Sequence, residues 1–262
     1  MKLLVFDVDD TLLAADKVFR QSTIDSLNER LSLGDAIAIA SGRPYIGILQ
    51  FLNRLAPGKK FPIAANGAAV YDLEGHCLDC SGLTYADFVT FYERHKSILD
   101  FGGSMYCYSL DAVAYFEDSY FINFEKTWNG LAGRDLRENP LQDTDPILKI
   151  MVTFNNGRWD TLRIGEDEAK KYHIIRSDPR FLEFMNPKVD KATGVEFLRR
   201  YLGVVKEDVY CFGDQGNDVG MIAGYQGVAM ENAIPEAKKV AKYVTLSAEA
   251  DGVSYALHHF VK

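Results

Sequence analysis

The chain has 262 residues, 47% of them hydrophobic, and its 29 basic and 37 acidic side chains leave a formal charge of -8. That length holds one large domain or two smaller ones, with ample apolar content for their cores. An acidic balance disfavours a nucleic-acid backbone as partner, and no stretch approaches the roughly 18 to 20 consecutive apolar residues that span a bilayer. The expectation is a soluble, cytoplasmic protein.

Leu3 to Phe6 is a short apolar run, as in a parallel-sheet strand buried on both faces, and it leads into Asp7-Val8-Asp9-Asp10-Thr11. Open parallel sheets bind ligands beyond the carboxyl ends of their strands, so Asp7 is expected at the mouth of a site. Two carboxylates two residues apart repel unless a cation or hydrogen bonds compensate them, and oxygen ligands with water and phosphate suit magnesium. Taken alone, Asp9 and Asp10 also fit a plain turn.

Ile24, Leu27 and Leu31 mark a first helix, with Ser22 as its cap and Gly34 as its stop. Ala36 to Ala40 reads as a second strand ending in Ser41-Gly42-Arg43-Pro44. The Ser41 hydroxyl and the N–H groups of a helix opened by Pro44 suit a phosphate oxygen; a well-capped helix is the alternative. The four cysteines, Cys77, Cys80, Cys107 and Cys211, form no dense disulfide framework. Cys77-Leu78-Asp79-Cys80 beside His76 lacks a second ligand pair, which favours incidental thiols over a metal site.

Strands alternate with helical patterns to about residue 80 and resume after about residue 185, the sign of an α/β core with an insertion crossing near Ser81-Gly82 and Asn186-Pro187. Within the insertion the pattern predicts a helix from Tyr85 to Ile98, strands at Met105 to Tyr108 and Val113 to Phe116, a helix, and a strand at Leu148 to Phe154. Another helix and strands near His173 to Ile175 and Phe181 to Phe184 close it. Tyr106, Tyr108, Tyr115, Tyr120, Phe121, Phe124 and Trp128 are assigned to core packing, with a sugar-stacking surface as the alternative. Arg43, Arg180 and Phe184 are the expected ligand contacts.

Lys191 opens a helix on which Val195, Leu198 and Leu202 share a face. The helix macrodipole favours anions at that end, so a lysine there suits neutralisation of phosphate and carboxylate, unless it is a solvated surface residue. Val209 to Phe212 forms a further strand running into Gly213-Asp214-Gln215-Gly216-Asn217-Asp218. Asp214 can complete a metal's oxygen shell and Asp218 can hold it from behind, with Gly213 and Gly216 permitting turns that a β-carbon would hinder.

In kind and order, Asp7 to Thr11, Ser41-Gly42-Arg43, Lys191 and Gly213 to Asp218 resemble the motifs of haloacid dehalogenase superfamily phosphatases. Asn66-Gly67-Ala68, Gly227 to Ala233 and Asp251-Gly252-Val253 are similar to the Cof-type branch, whose cap is the type IIB α+β insert. The resemblance implies an α/β fold: a Rossmann-like, doubly wound parallel-sheet core at 1–81 and 187–262, with the cap at 82–186. It implies a Mg2+-dependent phosphatase of small phosphorylated metabolites, sugar phosphates foremost, acting alone or as a small homo-oligomer, with no nucleic-acid or membrane partner.

By the same resemblance Asp7 is the nucleophile, forming an aspartyl phosphate, and Asp9 is the general acid and base. Lys191, Thr11, Ser41, Gly42, Arg43, Asn66 and Asn217 bind the phosphate or substrate. Asp7, Asp9 (through its backbone carbonyl) and Asp214 ligate the metal, braced by Asp218 or Asn217. The insertion is expected to act as a lid whose residues choose the substrate. A phosphomutase or other phosphotransferase shares the aspartyl-phosphate step, and a non-catalytic phosphate-ligand sensor would keep the fold alone. Two positions depart from the pattern, Asp10 and Glu231, each standing where glycine is usual.

Overall fold

A computed structural model describes residues 1–262. From the N-terminus run β1 (Leu3–Phe6), α1 (Gln21–Ser32), β2 (Ala36–Ala40), α2 (Tyr45–Leu52), β3 (Lys59–Ala64), β4 (Ala69–Tyr71) and β5 (Cys77–Cys80). Next come β6 (Leu83–Thr84), α3 (Tyr85–His95), β7 (Gly103–Tyr108), β8 (Ala112–Tyr115), α4 (Tyr120–Asn129), β9 (Ala132–Asp135), β10 (Pro146–Ile147) and β11 (Lys149–Phe154). After α5 (Glu166–Ala169), β12 (His173–Asp178) and β13 (Phe181–Met185), the chain adds α6 (Lys191–Tyr201), β14 (Val209–Gly213), α7 (Val219–Gly224), β15 (Gln226–Ala229), α8 (Pro235–Val240), β16 (Tyr243–Val244) and α9 (Gly252–His259). These elements divide into two compact units, 1–43 with 48–79 and 190–262, and 80–189 with 44–47.

The first unit is built on an eight-stranded sheet in the order β16-β15-β14-β1-β2-β3-β4-β5. From β16 to β3 every neighbouring pair is parallel, and β4 turns back antiparallel on β3. Leu3 to Phe6 are fully buried, as in a parallel strand covered on both faces. Leu3 and Val5 pack with Val195 and Leu198 of α6 and Met221 of α7, while α1 and α9 contact each other elsewhere in the unit. Successive strands step one way from β1 to β2 and β3, and the other way through β14, β15 and β16. That reversal leaves a crevice at the carboxyl ends of β1 and β14, the usual ligand position in such sheets.

α1 forms as its periodicity predicts, with Ile24, Leu27 and Leu31 buried, but its N-cap is Arg20, without a side-chain cap. Ser22 instead lies inside the first turn and donates to Asp251 Oδ2. Gly34 (φ 84°) follows the helix end as expected.

The second unit carries a six-stranded sheet, β12-β13-β11-β7-β8-β9, antiparallel except between β8 and β9, and a separate β6–β10 pair. α3, capped by the reciprocal Thr84–Asp87 box, buries Phe88 and Phe91 against Ile150, Val152 and Phe184. It stops at His95, and a 3-10 segment continues from Lys96 to Phe101. Phe184 is therefore a core residue, not a ligand contact, and Arg180 is exposed and paired with Asp178. Of the aromatics, Tyr106, Tyr108 and Phe121 are buried, whereas Tyr120 and Trp128 stand in solvent. α4 turns Phe121, Ile122, Glu125 and Asn129 inward because Glu125 accepts hydrogen bonds from Tyr106 Oη (2.9 Å), Tyr108 Oη (2.6 Å) and Asn129 Nδ2 (2.5 Å). None of the four cysteines is in a disulfide. No helix is long and apolar enough to cross a membrane.

Candidate active site

The parallel registers pair Phe6 with Phe212 and with Ile39, so Asp7, Gly213 and Ala40 leave their strands at one level of the sheet. The polar residues that follow therefore emerge side by side. Lys191, first residue of α6, is fully buried, which rules out a solvated surface lysine. Its Nζ donates to Asp7 Oδ1 at 2.5 Å and to Asp218 Oδ1 at 2.6 Å. Asp190 caps the first turn of α6 by accepting from Thr193 N.

Asp7, Asp214 and Asp218 bring carboxylate oxygens within 4.8 Å of one another. Asp218 is fully engaged: Oδ1 faces Lys191, and Oδ2 accepts from the backbone N–H groups of Asp214 and Gln215, each at 2.9 Å. Gly213 allows this fold-back, since a β-carbon there would lie 2.5 Å from Asp218 Cβ. Gly216 faces open space, so the turn makes no such demand on it. Asp214 accepts one bond per oxygen, from Thr11 Oγ1 and Gln215 Nε2, both 2.9 Å, and keeps lone pairs for a cation. Asp7 Oδ2 accepts no hydrogen bond from the protein.

Charge decides what this constellation can hold. Three buried carboxylates face one ammonium. Burial pushes the Asp7 carboxyl up to about 8 despite the pull of Lys191, with Asp218 and Asp214 adding to the rise. Burial and then Asp218 push Asp214 up to about 6. Burial by itself would lower Lys191, but Asp218 and Asp7 reverse that and hold it firmly charged. An all-oxygen donor set with excess negative charge fits a hard divalent cation such as magnesium, with Asp7 and Asp214 as donors and Asp218 as their brace. Asp9 Oδ1 and Oδ2 instead meet Lys17 and Arg43, so the Asp9 side chain is not one of the clustered donors.

The Arg43 guanidinium lies 3.0 Å from Asp9 Oδ2, and Lys17 Nζ lies 3.0 Å from Asp9 Oδ1. Burial works to raise the Asp9 carboxyl, but Arg43 and then Lys17 outweigh it and hold it below the ordinary carboxylate value. Asp10 sits at φ 61°, the conformation that makes glycine usual there and that aspartate tolerates, with its carbonyl accepting from Asn232 Nδ2 at 2.8 Å. Glu231 is exposed, and its backbone N–H donates to Leu246 O.

Three expected phosphate contacts have their side chains directed at protein. Thr11 donates its hydroxyl to Asp214, and Asn217 Nδ2 donates to Asn66 Oδ1 at 3.0 Å. Asn66 is buried beside Gly42. Ser41 follows β2, its Oγ accepting from Arg43 N at 3.3 Å; α2 begins only at Tyr45, so Ser41 is not that helix's cap. Lys17 and Gln215 were not legible as site residues. Gln215 stands within Gly213 to Asp218, whereas Lys17, at φ 56°, belongs to no motif and still reaches Asp9.

The haloacid dehalogenase-like hydrolase family model matches residues 4–257. The chain belongs to that family. It is accordingly a hydrolase, as its motifs imply. It is 31% identical over 270 residues to a Bacillus subtilis (strain 168) protein named "Putative phosphatase YxeH", covering 99% of this chain and 98% of the relative. A haloacid dehalogenase-like hydrolase from Bacteroides thetaiotaomicron superposes with TM-score 0.85 at 27% identity, over 98% of each chain. The subclass IIB sugar phosphatase BT4131 shares the fold, with TM-score 0.75 at 23% identity over 99% of each chain. The α/β core and inserted α+β unit of this hydrolase thus share the fold of these solved structures.

Proposed function

We propose that this hydrolase is a magnesium-dependent phosphatase of small phosphate monoesters, sugar phosphates foremost, working through an aspartyl phosphate on Asp7. The observation that carries the reading is Asp7 itself: Oδ1 is fixed by Lys191 while Oδ2 is left without a protein partner, beside two further buried carboxylates. An anchored carboxylate with one free oxygen is a positioned nucleophile. Magnesium, when bound, supplies charge neutralisation and polarises the phosphoryl oxygens.

In the first half of the reaction Asp7 Oδ2 forms a bond to phosphorus as the ester P–O bond breaks, and Asp9 gives a proton to the departing alkoxide. In the second half Asp9 takes a proton from water, the water oxygen attacks phosphorus, and the bond to Asp7 breaks, releasing inorganic phosphate. Lys191 offsets the repulsion between an anionic nucleophile and a phosphate dianion. The ionised state in which Arg43 and Lys17 hold Asp9 suits the base step directly. For the acid step those two cations must turn from Asp9 toward the incoming dianion, which frees its carboxyl to carry a proton.

The test is phosphate release from a panel of sugar phosphates, nucleotides, pyridoxal phosphate and an aryl phosphate, with magnesium and with chelator. Magnesium-dependent release by the parent and none by Asp7→Asn is the expected result. Silence of the parent across the panel overturns the reading.

A further inference from the structure

We propose that the turn Ala65-Asn66-Gly67 is a spacer that sets the separation of Ser41, Lys191 and Asn217, with Asn66 as a positioning residue for phosphoryl transfer. The inference rests on the phosphatase reading above. Three consecutive residues adopt positive φ: 47° at Ala65, 54° at Asn66 and 98° at Gly67. Glycine takes that region freely and asparagine tolerably, but alanine is strained there. Such backbone persists only where the surroundings over-determine it.

The surroundings here are three separate segments of the candidate site. Ala65 N donates to Arg43 O at 2.9 Å and Asn66 N to Ser41 O at 2.8 Å, stitching the turn to both ends of Ser41-Gly42-Arg43. Gly67 lies against the start of α6: a β-carbon there would overlap the Asp190 carbonyl oxygen and approach Lys191 Cα to 3.3 Å. One turn further along α6, a β-carbon on Gly194 would lie 3.2 Å from Gly67 Cα, so glycine meets glycine at this contact. The third link is the Asn66 side chain, whose Oδ1 holds Asn217 Nδ2 at 3.0 Å beside Gly42. The turn therefore touches the three segments that carry Ser41, Lys191 and Asn217. Asn66 itself, buried and engaged with protein, acts through its neighbours.

Asn66→Gly tests this, because glycine keeps the left-handed backbone and removes only the side chain. Asn217→Ala removes the same hydrogen bond from the other end without altering the turn. With p-nitrophenyl phosphate and magnesium, each variant is expected to lose about 10- to 100-fold in kcat, the scale of a misplacement near 1 Å, while Tm stays within a few degrees. If the two residues act as a unit, the double variant falls no lower than the worse single one. Calorimetric binding of inorganic phosphate should weaken in parallel. A kcat for Asn66→Gly within twofold of the parent, or additive losses in the double variant, overturns the proposal. A purely structural residue would lower Tm and leave kcat per folded molecule unchanged. If the parent turns over no ester, the phosphatase reading fails separately. Phosphate binding then decides alone: equal affinity of parent and Asn66→Gly, or none in either, overturns the spacer as well.

Discussion

Asp7→Asn should make the metal-free protein more stable while ending its turnover. The substitution is isosteric and leaves an oxygen to accept from Lys191 Nζ, but it removes one of three carboxylates crowded around a single ammonium. Burial raises the folded Asp7 carboxyl from 3.8 to about 8, so the stability tied to this group is fully present below pH 3.8 and is lost as pH rises toward 8. At pH 7 the interval above 3.8 sets a ceiling of ~4 kcal/mol on the penalty, at 1.36 kcal/mol per pH unit. Relaxation and water entry reduce this, and a gain of ~1–3 kcal/mol is expected for Asp7→Asn. The assay is urea and thermal denaturation of both proteins in EDTA at pH 5 and pH 8. The gap should widen from the lower pH to the higher. Added magnesium should then raise the parent more than the variant, because binding to the folded state alone adds stability by mass action. Equal stabilities at pH 8 in EDTA, or a gap independent of pH, would refute the electrostatic account of this site.

Asp9→Asn keeps the nucleophile and removes the proton carrier, so a pre-steady-state assay with an aryl phosphate should show a burst followed by turnover lowered about 10²- to 10⁴-fold. Thr11→Val deletes the hydroxyl that holds Asp214 Oδ1; calorimetry should find magnesium affinity weakened about 10- to 100-fold, the usual effect of losing an outer partner. In the second unit, Glu125→Ala strands the hydroxyls of Tyr106 and Tyr108 and the amide of Asn129. Denaturation should show a loss of ~2–4 kcal/mol, since each buried group left without its partner carries a desolvation penalty.

The parts of the fold visible in the sequence are those where local and tertiary preferences agree. β1, β2 and β14 are apolar runs of 4, 5 and 5 residues that stop at polar residues, and that length favours a strand buried on both faces over a helix. Asp7, Lys191, Asp214 and Asp218 follow these strands or open α6, so topology alone brings them together. β9 was invisible because Ala-Gly-Arg-Asp has neither apolar alternation nor β-branched residues; it exists through parallel pairing with β8. Helical spacing put Phe121, Phe124 and Trp128 on one buried face, but the demand of Glu125 for its tyrosine partners turned α4 and left Trp128 in solvent. Thr11, Asn66 and Asn217 were legible as site residues by position, not by role, because a motif records which segments meet and not which side chain each polar group will bond. The Lys17–Asp9 contact had no signal, since Lys17 is left-handed although it is neither glycine nor asparagine, and it lies outside every motif.

The most direct test of the central claim is mass spectrometry of the peptide containing Asp7, taken from protein acid-quenched during turnover of an aryl phosphate with magnesium. One phosphoryl group on Asp7 in the parent, accumulating in Asp9→Asn and absent from an inactive Asp7→Asn, is the predicted result. Turnover that persists in Asp7→Asn, with no adduct on that peptide in the parent or in Asp9→Asn, would contradict it.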